Sequence, residues 1–341
     1  MNRSQAAPAP LAHAAPDDAW LAQVVEDVLE PELAIVDPHH HLWLRDGYRY
    51  LMPELAADLA SGHRIVSTVY AECRSMYRTE GPEAERSLGE TEFVTGCAAM
   101  AASGAFGPHR ACAAMFGRVD MTLGAAVRPL LEAHIERSAG RFKGVRYSTG
   151  WDASDRIPNV APAAGALIAP EALAAAGVLA DMGLTLDVWL YHPQLGEVVA
   201  LAEAHPDLAI VLNHIGSPIL GGPYRDRQDE VFADWRRLIR AVAKRPNVFV
   251  KLGAMPIKRT TDKRLPPGSA EIAAAWRPWL ETCIEAFGPT RGMFESNFPV
   301  QKRWSSYQTT WNAFKLIAAG ASDAEKQALF SGAATAAYKL S

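Results

Sequence analysis

The stretch AIVDPHHHLW, Ala34 to Trp43, sets three histidines directly behind a short apolar run. Side chains alternate along an extended chain, so His39 and His41 share one face and His40 takes the other. Two imidazoles one strand-repeat apart can grip a single ion, which makes His-x-His a bidentate platform for a divalent metal. A solvated polar turn would hold three histidines equally well, so the pattern needs support from elsewhere. It comes from DVWLYHPQL, with His192 directly after an apolar run, and AIVLNHIGSP, with His214 before a glycine suited to a tight turn. Each of these alone reads as a satisfied core or capping histidine. Together they put four of the chain's ten histidines at three strand ends. His39, His41 and His192 are the expected metal ligands and His214 the expected general base. His40 is expected to hydrogen-bond behind the site. His13, His63, His109, His134 and His205 are given no role.

Charged residues extend this set. Arg146 in FKGVRYSTGWD and Lys251 in VFVKLG are cations inside β-like runs, where a plain core avoids charge. They suit a clamp for a carboxylated or hydroxyl-rich substrate, or internal salt bridges with Glu72 or Asp187. Glu72 in VYAECRSMYR and Glu295 in GMFESNFP are carboxylates at strand ends, fit for acid–base work or metal binding. Arg74 and Tyr77, just beyond Glu72, join the expected substrate contacts.

These residues need a scaffold that brings strand ends together. Strand-like runs occur at 34–37, 65–72, 141–148, 184–191, 209–216, 247–253 and 291–296, with a weaker one around 110–120. Between them lie helical patterns such as APEALAAAGVLADMG and QLGEVVALAEAHP, several ending in Gly or Pro just before the next strand. Alternation of this kind, with no GxGxxG or P-loop, predicts an α/β protein with a single (β/α)8 TIM barrel over residues 34–341; a doubly wound sheet is the alternative. Residues 1–33 are expected to form a flexible Ala/Pro-rich tail and an N-terminal helix over 17–32, after an acidic cap. In a barrel the chemistry sits at the C-terminal ends of the strands, where these polar residues fall.

Composition narrows the partners. The 341 residues are 49% hydrophobic and 21% charged, with a net charge of −4. No basic patch with interleaved aromatics suggests nucleic acid. No apolar stretch approaches the ~20 residues needed to span a bilayer, and the tail lacks the apolar core of a signal peptide. The four cysteines show no framework spacing and suit reduced thiols. The expectation is a cytoplasmic protein acting on a small molecule, with a homo-oligomer left open.

The pieces VDPHHHLW, GVRYSTG, DVWLYHPQL, VLNHIG and FESNFPV resemble, in order and spacing, the amidohydrolase-related (amidohydrolase-2) family. The resemblance covers roughly residues 34–340 and is strongest to the branch of sugar-lactone and pyrone-dicarboxylate lactonases. It implies a (β/α)8 barrel and hydrolysis of a lactone or similar C–O or C–N bond. It also implies one zinc or manganese ion in many members and none in some lactonases. His39, His41, His192 and His214 fall on motif positions. One departure stands out. The family's last strand ends in G-[ST]-D-[WF]-P, whose Asp binds metal or activates water, whereas here ESNFP puts Asn297 there. A neutral amide cannot take a proton as a carboxylate does, so Glu295 or Glu72 would have to replace it. Asn297 is then left to donate to a developing oxyanion.

The expected activity is opening of a small polar lactone, carboxylated or polyhydroxylated, by metal- or histidine-assisted attack of water. A metal-dependent decarboxylase or hydratase is the alternative, and a silent barrel that binds a small acid is a third. Tyr224, Arg225 and Arg227 fit a lid or an ordinary surface turn. The long excursion Ser75–Phe93 is expected to shape the pocket.

Overall fold

The computed structural model describes residues 15–45, 47–255 and 265–340. The start of the tail, with His13, lies outside them. Eight strands carry the framework: β1 (Ile35–His40), β2 (Ile65–Ala71), β3 (Arg110–Gly117), β4 (Phe142–Ser148), β5 (Thr185–Trp189), β6 (Ile210–Leu212), β7 (Val248–Gly253) and β8 (Gly292–Glu295). They pair in chain order, each pair parallel. The ring closes where the chain beyond β8 returns to β1. There Asn297 N–H donates to His39 O at 2.9 Å and His41 N–H to Phe298 O at 2.7 Å.

A helix follows each strand: α1 (Met52–Leu59), α2 (Leu88–Ala102), α3 (Arg128–Arg137), α4 (Pro170–Asp181), α5 (Leu195–Ala204), α6 (Gln228–Ala243), α7 (Ser269–Phe287) and α8 (Tyr307–Ile317). Parallel strands covered on both faces must be apolar along their length, and β1, β6 and β8 are buried throughout. Helices need only one apolar stripe. In α6 it consists of Val231, Trp235, Ile239 and Val242, spaced three or four residues apart and all buried. This is the (β/α)8 barrel that the alternation predicts, and the weak candidate near 110–120 is its third strand.

A second apolar cluster fills the barrel interior. Val36, Val69, Ala114, Val211 and Met293 pack against Ala333, Ala334, Ala337 and Tyr338, so a C-terminal helical segment plugs the barrel. No helix among the described residues is long and apolar enough to cross a membrane.

The helix expected over 17–32 shrinks to Asp18–Leu21, capped by Asp17. Beyond it, α8 side chains take over the backbone groups that a helix would have paired internally. Gln308 Nε2 donates to Glu26 O (2.7 Å), Asn312 Nδ2 to Asp27 O (2.9 Å) and Lys315 Nζ to Leu29 O (2.7 Å). Asn312 Oδ1 accepts from Leu29 N–H at 2.9 Å. Pro31 also disfavours a helical conformation at Glu30, whose φ is +41°.

Candidate active site

Two consecutive non-glycine residues with positive φ, His214 (+54°) and Ile215 (+50°), end β6 and turn the chain across the barrel mouth. A β-branched residue in this region is a real outlier and needs outside support. Trp235 of α6 supplies it, donating its indole N–H to Ile215 O at 2.8 Å. The turn brings His214 Nδ1 to 2.6 Å from Glu295 Oε1. A carboxylate only accepts, so Nδ1 carries a proton, and in the neutral ring Nε2 then holds the lone pair. Glu295 is fully buried at the end of β8, and its Oε2 lies 3.0 Å from His39 Nδ1 without forming an aligned hydrogen bond. Gly253 of β7 makes room for it: a Cβ there would sit 2.8 Å from Glu295 Cγ.

His39 and its neighbours on β1 take different roles. Asp37 stands outside the cluster and pins the β1–β8 seam, accepting from Ser296 Oγ and from Tyr307 Oη at 2.9 Å. Burial pushes its carboxyl up to about 6 against the pull of those donors. His40 points away and meets Thr68 Oγ1 at 2.8 Å, as expected from the alternation. The His41 ring lies 4.9 Å from that of His39, and its Nδ1 donates to Ala71 O at 2.8 Å. Burial first, then the charge of Lys251 on His39 and of Arg146 on His41, holds both imidazoles well below the usual histidine range.

Both internal salt bridges exist. Arg146 Nε donates to Glu72 Oε1 at 2.8 Å, and its Nη1 lies 3.4 Å from His39 Nε2. Burial alone would raise the Glu72 carboxyl, but the guanidiniums of Arg146 and Arg118 outweigh it and hold the group below the ordinary range. Lys251 Nζ donates to Asp187 Oδ1 at 2.8 Å and is fully buried. Lys251 does not border the cavity, whereas Arg146 does. Arg146 therefore combines the two expected roles, and Lys251 is placed beneath the site.

Above the cluster opens a cavity of about 380 Å³. His41, His214 and Asn297 reach it, and Trp43, Trp189 and Tyr191 give it aromatic walls. Arg45, Arg74, Arg118 and Arg146 face it, against Glu72 as the one carboxylate in the lining among the described residues. The guanidinium of Arg118 makes no hydrogen bond or ion pair among the described residues. A larger cleft of about 460 Å³, lined by Arg110, Arg141, Lys143 and Lys339, borders none of these groups.

Other expected residues lie elsewhere. His192 falls outside the His39–His214–Glu295 group, because a 3₁₀ turn over His192–Gln194 follows β5. Its Nδ1 accepts from Ile219 N–H at 3.3 Å and its ring packs edge-on to Tyr224. Tyr77 does not border the cavity, and its hydroxyl is buried without a hydrogen-bond partner. Arg74 reaches the cavity from the Ser75–Phe93 side, with φ +60°. At the proposed lid, Tyr224 donates to Asp152 Oδ2 at 2.7 Å and Arg227 pairs with Glu230 in solvent at 2.6 Å, which is the surface-turn arrangement. The sequence reading missed Arg118 and Arg45. Arg118 directly follows β3, so the strand-end rule reaches it once that strand is recognised.

The donor set suits a divalent ion. One ligand atom each from His39, His214 and Glu295 lies within 4.8 Å of the others, and Glu295 Oε2 is a buried oxygen without a hydrogen bond. Imidazole and carboxylate are the ligands that zinc and manganese sites use.

Residues 36–340 match the family model described as amidohydrolase. An uncharacterised protein of Sinorhizobium fredii is 30% identical over 91% of this chain and 99% of its own length. The L-fucono-1,5-lactonase of Burkholderia multivorans is 32% identical, over 45% of this chain and 51% of that enzyme. A crystal structure of an amidohydrolase from Burkholderia multivorans with bound zinc superposes with a TM-score of 0.68, at 24% identity, over 90% of this chain and 100% of that one. With a family model spanning the barrel and a relative matched along almost its full length, the chain belongs to the amidohydrolase family.

Proposed function

We propose that this protein opens a small lactone bearing a carboxylate by water attack. The observation that carries the reading is the 2.6 Å contact of His214 Nδ1 with Glu295, on the floor of a cavity walled by four arginines. The partial match to a lactonase supports it.

Arg118, with Arg45 and Arg74, takes the substrate carboxylate, since guanidinium forks match carboxylate geometry. Trp189 and Tyr191 cover the ring's apolar face. His214 Nε2 accepts a proton from water as the water oxygen bonds to the lactone carbonyl carbon. Glu295 holds the imidazole in the right tautomer and stabilises its protonated form, acting through His214 as a positioning residue. The tetrahedral oxyanion receives hydrogen bonds from the Arg146 guanidinium and the Asn297 amide. Collapse breaks the ring C–O bond, and His214 returns the proton to the departing alkoxide, leaving a hydroxy acid. A divalent ion held by His39, His214 and Glu295 would supply Lewis-acid polarisation of the carbonyl; it would also take the His214 lone pair, so the base role of His214 belongs to the ion-free site.

The test is acid release from a panel of small lactones with and without a carboxylate. Faster opening of the carboxylated members is expected. Release of carbon dioxide, or reversible hydration, without ring opening would transfer the site to the lyase reading.

A further inference from the structure

We propose that Lys251 is a built-in cation that holds down the metal affinity of the His39–His214–Glu295 set. This rests on reading those three residues as a metal-donor set.

Lys251 is fixed, not mobile. Its ammonium donates to Asp187 Oδ1 at 2.8 Å and lies 4.2 Å over the centre of the Phe116 ring. Asp187 is in turn held by Asn213 Nδ2 at 2.8 Å and by the Tyr338 hydroxyl at 2.8 Å. The C-terminal plug thus locks the pair from below. From this position Lys251 Nζ lies 3.2 Å from His39 Nδ1. An ammonium has donors only, so it competes with any ion for the lone pair on that nitrogen.

The other His39 nitrogen faces Arg146 Nη1 at 3.4 Å. Each ring nitrogen of His39 therefore faces a cation, so whichever one carries the neutral ring's lone pair meets a donor. Zinc binds imidazole at ~2.0–2.1 Å, so an ion on His39 Nδ1 would sit within about 5 Å of Lys251 Nζ. Coulomb repulsion between a dication and an ammonium at that range exceeds a factor of ten in affinity, even at an effective dielectric constant of ~20.

Charge balance points the same way. With neutral histidines, the set around His39 holds three buried carboxylates (Glu72, Asp187, Glu295) and two cations, buried Lys251 and the partly buried Arg146, a net of −1. Without Lys251 the set becomes −2, which one dication neutralises.

The experiment is zinc affinity by competition with a chromophoric chelator, on full-length metal-stripped protein. Lys251→Met should bind zinc at least about tenfold more tightly than wild type. That variant leaves Asp187 without its cation and can lose stability, so Lys251→Met/Asp187→Asn is measured beside it. The double variant should also exceed wild type, by a smaller factor. In either background, adding His39→Ala must abolish the gain. Thermal melts confirm folding of each variant. Folded variants with affinity equal to or below wild type overturn the proposal, as does zinc binding to none of them. Lactone opening by wild type is assayed separately, so failure of the hydrolase reading leaves a zinc result that still stands or falls by itself.

Discussion

His214 and Arg118 show how differently two site residues can be read from sequence. His214 is legible because a histidine breaks an apolar run just before glycine. Its partner Glu295 is legible as a carboxylate at a strand end, although their 2.6 Å contact is not. Glu72 and Asp187 are also legible as partners for Arg146 and Lys251, since buried cations in strands need counter-charges. What the sequence does not carry is direction. His39 lies within β1, whereas β5 ends at Trp189 and His192 opens the 3₁₀ turn beyond it, which sets it apart. Arg118 hides behind a strand of alanine and cysteine, a weak β signal. It also carries the clearest specificity prediction. Arg118→Ala should raise KM for a carboxylated lactone by about 10- to 100-fold, the worth of one charge-assisted hydrogen bond. Turnover number and KM for an uncharged lactone should stay nearly unchanged. Steady-state kinetics on the two substrates check this, and an equal effect on both would remove Arg118 from carboxylate recognition.

At the scale of elements, the barrel strands are well announced and the N-terminal segment is not. β-branched runs ending in Gly or polar residues mark strands buried on both faces. The segment 17–32 has helical spacing and a good N-cap, but local propensity loses to tertiary contacts made by α8. Asn312 alone satisfies Leu29 N–H and Asp27 O while buried to 1% exposure. Asn312→Ala strands both backbone groups, at a cost of about 1–3 kcal/mol each. A clear drop in melting temperature is expected, with lactone KM unchanged because α8 lies outside the cavity lining. An unchanged melting temperature would mean that the segment contributes little to stability. The three-residue β6 is the other difference: VLNHIG reads as continuous strand, but positive φ at His214 ends it.

For the whole molecule, buried histidines set the response to acid. Burial lowers His40 to about 3 and His63, His134 and His192 to about 4, from an ordinary 6.5. Their folded values lie below the unfolded one, so the unfolded chain takes up protons first. The stability they contribute is present above about 6.5 and is lost as pH falls toward 4. Asp37, raised by burial to about 6, and Glu90, raised by burial and by Glu72 to about 7, act oppositely, favouring the folded state at low pH. Four imidazoles outweigh two carboxyls, each proton difference contributing up to ~1.4 kcal/mol per pH unit. The urea midpoint should therefore fall between about pH 7.5 and pH 5. A midpoint that rises on acidification would show the carboxyls to dominate. The barrel itself is legible at this scale because strand–helix alternation is a global pattern. The C-terminal plug is not, because nothing in AATAAYKL marks a segment that enters the barrel.

The most direct test of the account is the turnover number of His214→Ala on the best carboxylated lactone, with the fold checked by circular dichroism. Loss of the base that abstracts the water proton should reduce turnover by at least about 1,000-fold. A folded His214→Ala protein that keeps turnover within about tenfold of wild type would contradict the His214–Glu295 mechanism.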